Sequence, residues 1–326
     1  MSLTTIILAA GKSTRMLSLK SKLLFKISGE HIIEHVCRAA VSINSKNIVC
    51  VLGNSPQQLK DFIKKNKIQS VDQKNPCGTA DAVKTAISSM PVNTNNKILI
   101  LCGDVPFISP ATLKRMVSKL DNSDLCLGTY IQENPAGYGR IIRDNKKIVE
   151  IIEEKDASSK IKKVNEINTG IICINEGVLR KFIGKIKNNN KQKEYYLTDI
   201  IKLLSDNNYK ISSYTIKNGL ETMGINSKKD LVDLERKLLI KKANDLLNKG
   251  VLIRDVMRTD IKGDLKVQKD VEIDINCIFE DKVSIGSNTT IGHNCYLNRC
   301  KIGKNVHIKP NTIIFGATIG LSLIHI

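Results

Sequence analysis

The sequence predicts an α/β chain: a doubly wound, Rossmann-like sheet domain followed by the first coils of a parallel β-helix. Three observations predict it. Over the first 119 residues short β-branched runs alternate with amphipathic stretches, the pattern of strands joined by crossover helices in a largely parallel sheet. Small-residue loops at 9–15 and 103–106 follow the first and third clear strands, and open α/β sheets bind ligands at that end of their strands. From Val267 onward aliphatic residues recur every six positions. That period is too short for a helix pair and suits the short faces of a β-coil.

The elements follow in order. Residues 2–9 form the first strand, and 30–43 a helix with Ile32, Ile33, Val36, Ala39, Ala40 and Ile43 on its apolar side. Residues 47–52 form the second strand, 56–65 the second helix, 78–90 the third helix and 97–102 the third clear strand. Ser109 and Pro110 open a helix over 109–119 as N-cap and first helical residue. Over 227–249 Leu231, Leu234, Leu238 and residues 245–247 keep helical spacing among many charges, which predicts a solvated linker helix with one apolar stripe.

After Gly250 the aliphatic series runs Val267, Ile273, Phe279, Ile285, Ile291, Leu297, then steps five to Ile302 and six to Ile308. Small or β-branched residues stand four places later, at Val271, Cys277, Val283, Thr289, Cys295, Val306 and Thr312, and glycine follows at Gly286, Gly292 and Gly303. The predicted domains are therefore 1–226, a linker helix at 227–250, and an incomplete hexapeptide-repeat domain at 251–326. The hexad reading stops after Ile319 and Gly320. Residues 321–326 read as an uncapped apolar tail of a solenoid cut short, with a functional apolar tail as the alternative.

A chain of 326 residues fits two domains at roughly 150 residues each. Hydrophobic residues at 41% and charged residues at 25% are globular values, which sets wholesale disorder aside. No apolar run approaches the roughly 20 residues of a membrane helix, and the N-terminus lacks the basic region of an export signal. Nine scattered cysteines without a CxxC read as reduced thiols of a cytoplasmic protein, several of them small core residues. Lys+Arg 51 against Asp+Glu 32 leaves +19. The lysines are spread along the chain and the densest run, 185–193, carries no interleaved aromatics. Stacking platforms for nucleic acid need aromatics, so small phosphate-bearing anions are the better partners for this field.

Two segments carry chemistry. Leu8, Ala9, Ala10 and Gly11 run into Lys12, Ser13, Thr14 and Arg15. A Walker loop would need glycine five places before Gly11, where Ile6 stands. What remains is a small-residue turn after a buried strand, with Lys12 and Arg15 facing one pocket. It reads equally as a phosphate cradle or as a tight turn alone. Cys102, Gly103 and Asp104 follow the third strand; a carboxylate there suits Mg²⁺, which takes one or two protein oxygens and leaves the rest to phosphate and water. A turn aspartate is the alternative.

LAAGKSTRM, Lys22, QKNPCGTADA, CGDVPFI, GYGRI, EEKDA, EINTGI, EYYLTDII and the six-residue repeats occur in that order. Together they resemble the bifunctional N-acetylglucosamine-1-phosphate uridylyltransferase/glucosamine-1-phosphate N-acetyltransferase (GlmU) family over residues 3–320. The resemblance implies a nucleotidyltransferase domain that joins UTP to N-acetylglucosamine 1-phosphate with Mg²⁺, giving UDP-N-acetylglucosamine and pyrophosphate for cell-wall and lipopolysaccharide precursors. It implies that Leu8, Ala9, Ala10 and Gly11 hold the uridine side and that Arg15 and Lys22 face the triphosphate. Gln73, Gly78 and Thr79 line the uracil, with Cys102 and Gly103 beside Asp104. Asp104 and Asn226 hold the metal. Gly139, Glu153 and Asn168 contact the amino sugar, with Tyr138 and Thr198 nearby. A left-handed coil, a homotrimer and a cytoplasmic enzyme are also implied. The family's acetyl-transfer residues lie farther along the coil, and that activity is expected to be missing. The alternatives are a related nucleotidyltransferase for another sugar or nucleotide, such as glucose 1-phosphate with dTTP, and a non-catalytic scaffold.

The chain departs from the family at Ser21, where a proline usually precedes the lysine, at Thr222 before the Gly224–Asn226 turn, and at Val256 after Arg254 and Asp255. His31 and His35 with Glu34 match an inverted zinc-peptidase pattern, but a third ligand and an open site are not supplied. Gly137 and Gly139 make half a dinucleotide fingerprint and fit a turn beside a sugar pocket better. Lys241 and Lys242 read as a solvated helix face, and His293 and His307 as surface or inter-coil residues.

Overall fold

The computed structural model describes residues 2–11, 14–53, 55–322 and 324–325. The chain divides into two compact units, residues 1–25 with 32–226, and 26–31 with 227–326.

In chain order the elements of the first unit begin with β1 (Leu3–Ala9). The hairpin β2 (Lys26–Ile27) and β3 (Glu30–His31) then leaves for the second unit. There follow α1 (Ile32–Ser42), β4 (Asn47–Leu52), α2 (Gln57–Lys65), β5 (Gln69–Asp72), α3 (Thr79–Ser88), β6 (Lys97–Cys102) and α4 (Pro110–Lys119). After them come β7 (Leu125–Ile131), β8 (Arg140–Asp144), β9 (Lys147–Ile152), β10 (Glu166–Asn175), α5 (Glu176–Ile183), α6 (Asp199–Asp206) and β11 (Ile211–Thr215). The sheet order is β11-β7-β10-β6-β1-β4-β5, with β8 and β9 attached at β10. Ile6, Val49, Val51, Ile98, Ile100, Leu125, Leu127, Ile172 and Ile174 build its core with Val83, Phe182 and Ile200 from the covering helices. β1 lies between β4 and β6, so the chain turns back across it. The crevice at such a reversal lies outside the carboxyl ends of the strands.

The elements read at 2–9, 47–52, 56–65, 78–90, 97–102 and 109–119 recur as β1, β4, α2, α3, β6 and α4, with Ser109 capping α4 through Thr112 N at 3.1 Å. Two readings change. The first helix starts at Ile32, because Glu30 and His31 pair with Lys26 and Ile27 in the hairpin. The sheet is less parallel than expected: β10 runs antiparallel to both β6 and β7. The buried residues of its EINTGIICIN run do not reveal strand direction, which is set by pairing and not by side-chain period.

The second unit opens with α7 (Lys228–Leu247), closed by a reciprocal cap in which Asp230 N donates to Ser227 Oγ (3.1 Å) and Ser227 N to Asp230 Oδ2 (2.8 Å). Its buried stripe is Leu234, Leu239, Ala243 and Leu246: of the expected Leu231, Leu234, Leu238 and 245–247, Leu234 and Leu246 are buried, while Leu231 and Leu238 are only partly covered. Ala243 and Leu246 share a core with Val251, Ile253 and Ile273, so the helix packs on the coils and is no free connector. Lys242 is not on a solvated face. Its ammonium donates to Ser28 Oγ (2.6 Å), Ile261 O (3.1 Å) and Gly263 O (3.1 Å), which ties the hairpin to this unit.

The remaining strands stack in parallel. Thr259–Val267 pairs with Cys277–Ile285 at an offset of eighteen, while Tyr296 pairs with Ile313 and Thr290 with His307 at seventeen. The lost residue is the five-residue step between Leu297 and Ile302. Ile273, Phe279, Ile285, Ile291, Leu297, Ile302 and Ile308 are buried, as are Val271, Cys277, Val283, Thr289, Cys295 and Val306. Corners are made by Asn276, Asn288, Asn294, Asn305 and Asn311 at φ between 55° and 61°, a left-handed conformation that asparagine tolerates. Asn276 donates to Asn294, which donates to Asn311, at 2.9 and 3.0 Å. Ile324 and His325 pair with His307 and Ile308, so the stack continues past Gly320, where the hexad reading stopped.

Candidate active site

The site is built at the carboxyl ends of β1, β4 and β6. Gly103 N donates to Leu8 O (2.9 Å), closing the loop after β6 onto β1. A Cβ at Gly53 would lie 2.7 Å from Ala10 O, so β4 can approach this loop only with glycine there. Ala10 and Gly11 then stand at the mouth of two adjoining cavities. The larger, about 670 Å³, is lined by Ala9, Ala10, Gly11, Ser21, Gln73 and Lys74, among others. The smaller, about 360 Å³, is lined by Leu8, Gly11, Gly78, Thr79, Cys102 and Asp104, among others. Lys12 and Ser13 lie outside the described residues. Arg15 follows in the short helical turn Thr14–Met16 with its side chain exposed, and it lines neither cavity.

Lys22 opens a 3₁₀ turn, Lys22–Leu24, whose N-cap is Ser21. Ser21 sits at φ −56° and accepts from Leu23 N (3.4 Å). That φ is the one proline would fix, so the departure at Ser21 leaves the backbone as the family proline would set it. The Lys22 ammonium is ion-paired with Asp104 Oδ2 and donates to Asn226 Oδ1 (3.1 Å). Ile225 N donates to Asp104 O (2.9 Å), which holds the segment carrying Asn226 against the loop after β6. Three residues from distant parts of the chain thus share one charged point. A carboxylate oxygen and an amide oxygen are hard donors that would suit Mg²⁺; here both face one cation, the ammonium.

Gln73 is buried, with its amide donating to Asp81 Oδ2 (2.5 Å) and Gly78 O (3.2 Å). Gly78 needs to be glycine twice over: its φ is +122°, and a Cβ would fall 2.5 Å from Tyr195 O. Tyr195 N donates to Cys77 O (2.7 Å), Ala80 N to Tyr195 O (2.9 Å) and Leu197 N to Thr79 Oγ1 (2.9 Å). The EYYLTDII segment is therefore laced onto the start of α3, and Glu194 lines the smaller cavity. The sequence carried that motif without saying what it holds.

Gly139, Glu153, Asn168 and Thr198 form a second cluster. Thr198 Oγ1 donates to Glu153 Oε1 (3.0 Å), and Asn168 N to Gly139 O (2.8 Å). A Cβ at Gly139 would stand 3.2 Å from Glu153 Oε2, so glycine leaves room for that carboxylate. Asn168 Oδ1 accepts from Gly170 N (3.0 Å) at the β10 bulge. The main-chain oxygen of Tyr138 accepts from the buried Arg140 guanidinium. Burial pushes the Glu153 carboxyl above its ordinary range, against the Thr198 hydrogen bond. Asp199 is raised to about 6 by burial and then by the Glu153 charge. Cys102 is pushed up to about 12 by burial and the Asp104 charge, which favours its neutral thiol. Burial also raises Cys50 and Cys173.

His31 lies in β3 and His35 on α1, where it packs edge-on to Phe107 and its Nδ1 meets Arg38 at 2.9 Å. The two histidines belong to different units, which ends the shared helical face the zinc pattern requires. Among the described residues no group of three or more His, Cys, Asp or Glu could hold a metal, and no helix is long and apolar enough to cross a membrane.

The chain is similar to known proteins over nearly its whole length. The model of the MobA-like NTP transferase domain matches residues 5–163. The bifunctional protein GlmU of Acinetobacter baylyi is 37% identical over 320 residues, which is 98% of this chain and 70% of that protein. A UDP-glucose pyrophosphorylase solved with UDP-glucose aligns at TM-score 0.62 and 18% identity over 74% of this chain and 100% of its own. A Bacillus anthracis protein assigned as a glucose-1-phosphate thymidylyltransferase, solved with a sucrose, aligns at TM-score 0.58 and 17% identity over 72% and 94%. At such identities the two structures establish the sheet architecture.

Proposed function

The chain belongs to the GlmU family, and from that membership and the site we propose that it transfers UMP from UTP to N-acetylglucosamine 1-phosphate, releasing pyrophosphate and UDP-N-acetylglucosamine. One observation carries the reading: Lys22, Asp104 and Asn226 meet at the carboxyl end of the sheet. A phosphate oxygen of the sugar attacks the α-phosphorus of UTP, and the bond to the pyrophosphate oxygen breaks. The incoming phosphate is the nucleophile, so no side chain needs to be acylated or phosphorylated. Such a displacement asks for positioning and for charge on the equatorial oxygens.

The Lys22 ammonium supplies that charge beside Asp104, and Arg15 adds to it on the triphosphate side. Main chain at Leu8, Ala9, Ala10 and Gly11 lies against the uridine, with Cys102 and Gly103 flanking the ribose side. Gln73, Gly78 and Thr79 read the base. Gly139, Glu153 and Asn168 hold the amino sugar, and Thr198 orients Glu153. Asp104 and Asn226 would hold Mg²⁺, which neutralises phosphate charge when bound. In the second unit the eighteen- and seventeen-residue parallel coils support a left-handed β-helix through which three copies of a cytoplasmic enzyme assemble.

The test is pyrophosphate release from UTP, dTTP, CTP and ATP, each offered N-acetylglucosamine 1-phosphate, glucose 1-phosphate or glucosamine 1-phosphate with Mg²⁺. Turnover of UTP with N-acetylglucosamine 1-phosphate is expected. Turnover confined to dTTP with glucose 1-phosphate would replace this choice of substrates, and none at all would leave a scaffold.

A further inference from the structure

The Gln73 amide has one polarity imposed on it. Its nitrogen has two protons, and two groups that can only accept surround it, the Asp81 carboxylate at 2.5 Å and the Gly78 carbonyl at 3.2 Å. A flipped amide would set its oxygen against both, leaving two acceptors without a proton between them. Nε2 is therefore fixed on Asp81 and Gly78, and both its protons are spent. Oε1 is what remains. Among the described residues no donor reaches it, and it is not sealed in the core. Gln73 is 3% exposed and lines the larger cavity, so this oxygen meets a ligand in the cleft and little else.

We propose that Asp81 is a positioning residue for base choice: it acts through Gln73 to present the cleft with a fixed acceptor, which selects bases carrying an N–H at the ring position between two carbonyls. Uracil and thymine carry that donor at N3. Cytosine carries a lone pair there, and two acceptors would face each other with no proton between them. Position 81 suits the task. It is the third residue of α3, one turn from Gly78, so one helix start delivers both acceptors to the same amide. Its far side borders another cavity, with Lys84 and Lys187, so the carboxylate is not needed to fill space. This inference rests on the proposed nucleotide reading of the cleft.

The experiment measures dissociation constants of UTP, dTTP, CTP and N3-methyl-UTP with Mg²⁺ and no sugar phosphate. It compares the whole chain with its Asp81→Ala and Asp81→Asn variants. The unaltered protein should bind UTP and dTTP at least about tenfold more tightly than CTP, with N3-methyl-UTP behaving as CTP does. Asp81→Ala should cut the UTP-to-CTP ratio by about tenfold, since the amide can then turn. Asp81→Asn, which keeps the shape but can donate, should cut it as well. Equal weakening of UTP and CTP in both variants would make Asp81 structural only and overturn the proposal. N3-methyl-UTP binding the unaltered protein as tightly as UTP would overturn it whatever the variants do. Selective UTP binding without turnover of any sugar phosphate would defeat the proposed reaction and leave this inference standing, whereas failure to bind UTP would end both.

Discussion

The two units use the same device, backbone held at positive φ, for opposite ends. In the coils Asn276, Asn294 and Asn311 stand at one corner with φ near 60° and bond to one another in a ladder. Each side-chain amide of that ladder meets its copy in the next coil. In the sheet unit Gly78 at +122° and Gly170 at +75° occur once each, beside Tyr195 and Cys102, and the polar groups they admit converge on a cleft. Repetition spends its hydrogen bonds on the fold, whereas the unrepeated positions leave Gln73 Oε1 facing space a ligand can fill and gather Lys22, Asp104 and Asn226 at one point. Where local rules are broken without a structural return, chemistry is the expected reason.

This contrast can be broken most severely at Lys22. Lys22→Ala and Asp104→Ala should each lower kcat for pyrophosphate release by about 10²–10³-fold, with thermal unfolding of both units nearly unchanged. A large loss of stability with activity retained would place these residues in the fold and not the chemistry. The mirror experiment is Ile291→Ala, at a fully buried rung of the coil. It should cost the second unit about 2–5 kcal/mol in denaturant unfolding while leaving nucleotidyl transfer intact.

A smaller effect sharpens the role of the hairpin. Lys242→Met leaves Ser28 Oγ, Ile261 O and Gly263 O without their shared donor. A loss of about 1–3 kcal/mol and faster amide exchange over 26–31 are expected; unchanged exchange would show that the hairpin is held by packing alone. The smallest effect concerns pH. The Asp199 carboxyl is raised to about 6 in the folded chain, so the folded state favours its protonated form. Stability from this group is present below the ordinary carboxylate range and is lost as pH rises through about 6. Asp199→Asn should therefore be more stable than the unaltered protein at pH 8, with the gap closing by pH 4. A gap that widens toward acid would reverse the assignment.

Legibility in the sequence followed the same division. The coil was readable because its rule repeats: Ile273, Phe279, Ile285 and Ile291 are buried as their period requires, and the five-residue step to Ile302 appears as the change of offset from eighteen to seventeen. The first strands and helices were readable from β-branched runs and the Ser109 cap. The antiparallel course of β10 was not, because side-chain alternation is blind to strand direction. Lys22 and Asn226 stand 204 positions apart, and no spacing rule pairs them; their meeting depends on the order of strands. Nor could charge patterning show that Lys242 turns inward to Ser28, 214 positions away. The role of Asp81 needed the amide, the carbonyl and the carboxylate in one place.

The most direct test is anomalous diffraction from crystals grown with Mn²⁺ in place of Mg²⁺ and UDP-N-acetylglucosamine. A manganese peak coordinated by Asp104 and Asn226, with the Lys22 ammonium drawn off onto a phosphate, is expected. A peak elsewhere, with Lys22 still locked between Asp104 and Asn226 and the diphosphate out of its reach, would contradict the convergence on which the proposed transfer depends.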